Sequence, residues 1–362
     1  MGVNKHLLGK ATVLALGLTC AIEACAQSSV TLYGIVDGGL LYLNKTVNAS
    51  GGKGGKLFAF TDSGQLPSQF GLRGVEDLGG GLSAEFRLES GINIGSGGYN
   101  NSNGNFLGRR AYVGLTGAFG EIKAGLQFSP FFDALFALDP VGMSNFGSSL
   151  LIYANNIGAT GAFNSNALSY TTPLIAGLRG SAMLALGGEA GNFSAGRQYS
   201  AGLSYQWGGL RLNAAYYNGN PGGTIQTIPP TTVGFEGRMI GASYAFGRLT
   251  AKASFTNYKV TGTGTNNNVY GGGIDYALTP AVDLNGGVWY VSNRNDTSSH
   301  ALMASLGTGY FLSKATALYA QVGVVNNHGA SNLGLALGDA PTSSYAPAGT
   351  TVGAVAGIRH FF

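Results

Sequence analysis

The residues able to do chemistry in this chain are mostly charged side chains set in alternating sequence. Arg73, Glu85, Arg87 and Lys123 each stand between apolar or small neighbours. In an extended chain, successive side chains point to opposite faces, so these four share a face opposite the apolar set. Arg110 joins them if Ala111, Val113 and Leu115 take the apolar face. Asp133 and Asp139 follow in a long segment between strands. Basic groups on a wall facing acidic groups on a loop create a transverse field, which acts strongly on dipolar and charged solutes where water is confined. The competing reading for any one of these charges is simple solvation in a wide watery space.

Catalytic chemistry finds little footing. There is no Gly-x-Ser-x-Gly, no His-Glu-x-x-His, and no Ser or Cys with a nearby His. Glu85 and Glu89 would sit roughly 13 Å apart on one strand face, too far for a carboxylate acid–base pair. The run Gly51-Gly52-Lys53-Gly54-Gly55-Lys56 has the wrong spacing for a phosphate loop, and Leu57 stands where Ser or Thr is needed, so it reads as a flexible loop. His300, His328 and His360 lie far apart, without metal-ligand spacing. No metal site and no cofactor is expected.

The elements that position these charges begin after residue 26. Lys5 and Lys10 precede a short apolar run, Ala11 to Thr19, and Ala24-Cys25-Ala26 offers a small-x-small cleavage site before Gln27. This is the pattern of an export signal, and its apolar run is too short to span a bilayer as a helix. A lipoprotein signal is the alternative, although the residues before Cys20 and Cys25 fit a lipobox poorly. Two domains are therefore assigned: a signal peptide over 1–26 and one barrel domain over 27–362. Both cysteines fall in the removed part, which leaves no disulfide framework. Removing Lys5, Lys10 and Glu23 from a net charge of +4 leaves +3, too mild to argue for nucleic acid.

Composition then sets the class. Only 10% of residues are charged, against about 25% in soluble domains, and 62 of 362 are glycine. No apolar run of eighteen follows the signal, so helical membrane spans are excluded. Instead, apolar and polar residues alternate along the chain. Leu82, Ala84, Phe86 and Leu88 interleave with Ser83, Glu85 and Arg87. Ile122, Ala124, Leu126 and Phe128 interleave with Lys123, Gly125 and Gln127. Leu210, Leu212, Ala214 and Tyr216 form another such row, as do Leu249, Ala251, Ala253 and Phe255. Alternation of this kind, with few charges and no helical segments, fits strands that face lipid on one side and water on the other.

Seven short turns punctuate these strands, at 77–81, 118–120, 173–177, 208–209, 246–247, 279–280 and 312–313. They carry the glycine and proline chemistry of tight hairpins. Between them lie eight longer polar segments: 44–66, 93–107, 129–165, 188–195, 218–234, 260–268, 293–299 and 326–349. Together they predict an all-β, sixteen-stranded antiparallel transmembrane barrel, with both termini on the short-turn side and no free edge. Aromatics on the apolar parity form two expected belts. Tyr42, Phe128, Tyr216 and Tyr290 lie near loop ends, and Trp207, Phe246, Tyr276 and Tyr310 near turn ends.

Several motifs resemble a known family. The mature chain opens Ser29-Val-Thr-Leu-Tyr-Gly-Ile-Val-Asp37. It continues with Phe70-Gly-Leu-Arg-Gly-Val-Glu-Asp-Leu-Gly79, Arg110-Ala-Tyr-Val-Gly-Leu115 and Asp133-Ala-Leu-Phe-Ala-Leu-Asp-Pro140, and ends in Phe362. In this order it resembles the general porins of β-proteobacteria, of the Burkholderia, Bordetella and Neisseria type. The resemblance implies an outer-membrane homotrimer surrounded by lipid and lipopolysaccharide, with a third loop folded into the lumen. It also makes Ile358, His360 and Phe362 an assembly signal read by the barrel-assembly machinery. The segment 129–165 agrees, because Phe131, Phe132, Leu135, Phe136, Leu138, Phe146, Leu150, Leu151 and Ile152 need an apolar place to pack. A surface cap or a subunit contact is the alternative for this loop.

The expected function is passive diffusion of small hydrophilic solutes and ions. Its constriction is assigned to Arg73, Arg87, Arg110, Lys123, Asp133 and Asp139. The basic excess predicts mild anion preference, although Gln69 stands where the family often has a basic residue. A substrate-specific channel and a barrel enzyme are the rival readings.

Overall fold

The computed structural model describes residues 29–48, 50, 52–223, 234–338 and 343–362. The export signal expected over 1–26 lies outside the described residues, as do parts of the first, fifth and eighth loops. The strands are β1 Ser29–Leu43, β2 Leu57–Asp62, β3 Gln69–Gly79, β4 Leu82–Gly91, β5 Arg110–Gly117, β6 Gly120–Gln127, β7 Asn164–Thr171, β8 Leu178–Ala185 and β9 Gln198–Trp207. They continue as β10 Leu210–Gly219, β11 Gly234–Phe246, β12 Leu249–Thr261, β13 Asn266–Thr279, β14 Val282–Asn293, β15 His300–Phe311, β16 Thr316–His328 and β17 Gly349–Phe361. Each pairs antiparallel with its neighbours, and β17 returns to β1, matching Phe361–Gly353 against Ile35–Leu43. Gly34 and Phe362 complete the seam by exchanging backbone hydrogen bonds of 2.9 and 3.1 Å.

The wall has sixteen strand positions, because β2 and β3 are two pieces of one. β2 pairs with Gly38–Leu43 and β3 with Ser29–Ile35, both along the same side of β1. Thus 57–62, expected within a loop, belongs to the wall. The break at 63–68 is tied down by the buried Asp37 carboxylate, which accepts from the Leu66 amide at 2.7 Å and the Tyr319 hydroxyl at 2.6 Å. A buried carboxylate is costly unless such donors surround it.

The alternation holds in three dimensions. Val113 is 59% exposed and Leu212 42%, while the inward Tyr217 is fully buried. Large apolar side chains cover the outside, including the belt residues Trp207, Phe246 and Tyr310. The packed core lies inside instead, where the segment after β6 folds against the inner wall. This segment is not irregular loop throughout. It holds two helices, α1 Pro130–Leu138 and α2 Ser149–Ile157, which correct the expectation of no helical segments.

The helices have local causes. Ser129 caps α1 by accepting the Phe132 amide, and a proline opens the first turn, where its missing N–H is not needed. Ser148 caps α2 through the Leu150 amide. Phe131 of α1 is buried among Tyr217, Phe235 and Tyr258, with ring centroids 6.0–6.3 Å apart. Inward glycines leave room for this passage. A side chain at Gly237 would meet the Phe131 ring at 2.7 Å, and one at Gly241 would meet Leu138 at 2.5 Å. Farther along, Phe146 lies over Gly323 and Gly353, and the Asn145 side chain donates to the Ser63 carbonyl at 2.8 Å.

Candidate constriction of the lumen

The bulk of α1 fills one side of the barrel and leaves a gap against β4–β10. A cavity of about 390 Å³ occupies that gap. Arg87 from β4, Arg110 and Tyr112 from β5, Lys123 from β6 and Asp133 from α1 all line it. Four of the six predicted residues therefore meet in one place. Arg110 takes the inward parity expected for it, and its guanidinium lies 4.1 Å from the Phe128 ring centroid. Lys123 pairs with Glu121 at 2.7 Å and approaches the Tyr112 ring at 5.3 Å. Asp133 stands across the gap on the exposed side of α1.

The other two differ. Arg73 is exposed on the same wall, opposite Arg87 in the β3–β4 register, but it does not line this cavity. Asp139 is only 2% exposed and turns into its own loop. Its carboxylate accepts from the Val141 and Met143 amides, each at 2.9 Å, and from the Ser149 amide at 2.8 Å and hydroxyl. This carboxylate joins the end of α1 to the start of α2, so its charge is spent on backbone donors, not on the lumen. The Asp139 backbone carbonyl meets the wall, accepting from Lys252 Nζ at 2.9 Å.

Phe128 also departs from expectation. The β6–β7 register shifts between Gly125 and Gln127, a bulge that re-aims the following residue. Phe128 therefore leaves the lipid-facing parity and packs edge-on against Phe132 and Phe163 at 5.2 and 5.4 Å.

The structure adds residues that were not assigned to the site. Glu89 is buried and joins three partners: Arg87 at 3.1 Å, Arg109 at 3.0 Å and the Tyr33 hydroxyl at 2.8 Å. Arg109 in turn donates to the Asn101 carbonyl of the second loop at 3.3 Å. Arg179 also lines the first cavity, and with Arg211 and Lys252 it lines a second of about 640 Å³. Arg179, Ser204 and Asn213 are common to both. The alternation signal held these cations, since Arg211 with Asn213 and Lys252 with Thr250 share the inward parity. What it lacked was their position around and along the wall.

A closed sixteen-strand barrel with a loop-narrowed, cation-lined lumen is an architecture for passage. Comparison with known proteins decides the family: a model of the Gram-negative porins matches residues 11–330. The chain belongs to the Gram-negative porins. This porin is 32% identical to Outer membrane porin protein 32 of Delftia acidovorans over 376 residues, covering 99% of this chain and 100% of that one. It is 31% identical to a Major outer membrane protein P.IB of Neisseria gonorrhoeae, covering 56% of this chain and 55% of the relative. Among solved structures, the anion-selective porin from Comamonas acidovorans matches with a TM-score of 0.77 at 29% identity, covering 92% of this chain and all of that one. The porin is thus an integral outer-membrane barrel that serves as a general diffusion channel, and its relatives are channels, not enzymes.

Proposed function

We propose that the porin passes small hydrophilic solutes with a preference for anions, filtered where Arg87, Arg110 and Lys123 face Asp133, with Arg73 on the flanking wall. The observation that carries this reading is the run of luminal cations. Arg87, Arg110, Lys123, Arg179, Arg211 and Lys252 line two adjoining cavities. The acidic groups on those linings are Asp133 and Asp275. An excess of one sign at close quarters raises the local concentration of the opposite ion. The anion selectivity named for the Comamonas porin supports the same sign. A reversal-potential measurement on the purified channel across a tenfold KCl gradient tests it. Chloride is expected to be the more permeant ion, and clear potassium preference would reject the proposal.

The remaining parts of the reading concern biogenesis and assembly. Residues 1–26 act as a cleaved export signal, and residues 27–362 form the barrel domain. Ile358, His360 and Phe362 serve as the tail recognised by the barrel-assembly machinery, supported by their common exposed face on and beside β17. The barrel works as a homotrimer in lipid and lipopolysaccharide, as the resemblance to general porins implies. Heat-modifiable migration at three times the mass of the chain is the expected result on gels. A channel that migrates and conducts as a monomer would overturn the trimer.

A further inference from the structure

The cavity on the loop side of the constriction differs in character from the constriction itself. It has a volume of about 340 Å³ and is enclosed by the third loop, by Asn100 and Asn101 of the second, and by Leu337 of the eighth. Its lining includes five rings, Phe128, Phe132, Phe136, Tyr153 and Phe163. Phe132 meets Tyr153 edge-on at 5.3 Å, so the rings hold one another in place. Phe136 is 53% exposed although it sits on α1 within the barrel, and its ring is presented to the water of the cavity. Exposed aromatic surface beside a preformed cavity is unfavourable until something apolar covers it.

The cation that lines this cavity, Arg109, is held by Glu89, and a second cation stands on the constriction side of its wall. Phe128 lines both this cavity and the constriction, and the Arg110 guanidinium lies over its ring. Among the described residues, Arg110 forms no ion pair, whereas Arg87 and Arg109 are engaged by Glu89. The arrangement is an aromatic box that shares its Phe128 wall with the constriction, where the unpaired Arg110 lies over that ring. It is complementary to a solute with a flat apolar body and one anionic end. A sugar would leave the cation without a partner, and an aliphatic acid would leave the rings uncovered.

We propose that this cavity is a binding station for small aromatic carboxylates, with the ring among Phe132, Phe136 and Phe163 and the carboxylate toward Arg110. It lies on the path to the constriction, so the solute is held before passing it. This inference rests on the channel reading and names a solute class for it. A saturable site of this kind concentrates a dilute solute at the entrance, at the cost of a ceiling on flux.

The test is chloride current through the full-length channel in planar bilayers, titrated with benzoate, acetate, cyclohexanecarboxylate or benzamide. Benzoate is expected to reduce the current saturably, with a half-blocking concentration about tenfold below that of acetate. Cyclohexanecarboxylate and benzamide should each fall between the two. Phe136→Ala and Phe136→Leu, at a side chain already half in water, should each raise the half-blocking concentration for benzoate by about 2- to 12-fold. That range corresponds to about 0.5–1.5 kcal/mol for one aromatic contact. Equal effects of benzoate and acetate on an otherwise normal chloride current would overturn the proposal and leave the channel reading intact. Benzamide as strong as benzoate would refute the role of the cation. Absence of chloride conductance altogether would refute the channel reading beneath it.

Discussion

Replacing Arg110 by Gln tests the constriction most directly, because the change removes a full charge while keeping a polar side chain of moderate length. A sphere of the constriction cavity's volume, about 390 Å³, has a radius of about 4.5 Å, so an ion at its centre passes about 5 Å from the guanidinium. In water, unit charges at that distance interact by about 0.8 kcal/mol. At 0.1 M salt, where the screening length is about 10 Å, about 0.5 kcal/mol remains. The anion loses that attraction and the cation loses an equal repulsion, so the permeability ratio moves by about 1 kcal/mol, or about fivefold toward potassium. At 1 M salt the screening length falls to about 3 Å, and the same substitution should change the ratio by less than about twofold. Reversal potentials of parent and variant at both salt levels provide the assay. A ratio unmoved at 0.1 M, or moved equally at 1 M, would refute the assignment of Arg110 to the ion path.

Three further outcomes follow from the packing around the lumen. Glu89→Gln removes the only carboxylate paired with Arg109 among the described residues, whose side chain is 8% exposed. A buried ion pair broken on one side costs about 3–5 kcal/mol, and the temperature at which folded barrel is lost on unheated-sample gels should fall by several degrees; an unchanged temperature would remove Glu89 from the structural network. Phe131→Ala empties the ring cluster with Tyr217, Phe235 and Tyr258 and should weaken docking of α1 by about 3–5 kcal/mol. Larger and noisier single-channel steps are expected, and steps identical to the parent would show that this contact does not hold the loop. Gly241→Val places a Cβ 2.5 Å from Leu138 and 2.6 Å from the Ala253 carbonyl, so α1 must shift and conductance should change. Gly180→Ala, whose Cβ meets only ordinary contacts at 3.6 Å or more, serves as the control and should conduct like the parent.

Much of the architecture was legible because it depends on a local rule. Side chains alternate across a strand whatever the strand pairs with, so Arg87, Arg110 and Lys123 could be placed on the inner face from their neighbours alone. Short turns and long segments gave the sixteen wall positions, and the apolar content of 129–165 favoured an interior place over a surface cap or a subunit contact. Local reasoning failed where a residue's setting depends on distant chain. Asp133 and Asp139 look equivalent in sequence, six residues apart on one loop. Only the fold sends Asp133 toward the cationic wall and turns Asp139 onto the amides of its own loop. Phe128 kept the apolar parity in sequence and lost it through one bulge.

The sequence by itself determined the alternation of lipid-facing and inward side chains, how many strands close the barrel, and that its longest loop carries apolar residues that need cover. The tertiary structure decided which inward charges stand together, because parity fixes a face but neither height nor position around the wall. Those follow from register summed over sixteen pairings, and Arg179, Arg211 and Lys252 come to line one cavity beside the constriction only through it. The path of the third loop was decided the same way. Gly237 and Gly241 lie on β11, Gly323 on β16 and Gly353 on β17, and only closure of the sheet aligns them into the track along which α1 and Phe146 can lie. Alternation is enforced within a few residues by backbone geometry, whereas a shared cavity exists only once the whole sheet has closed.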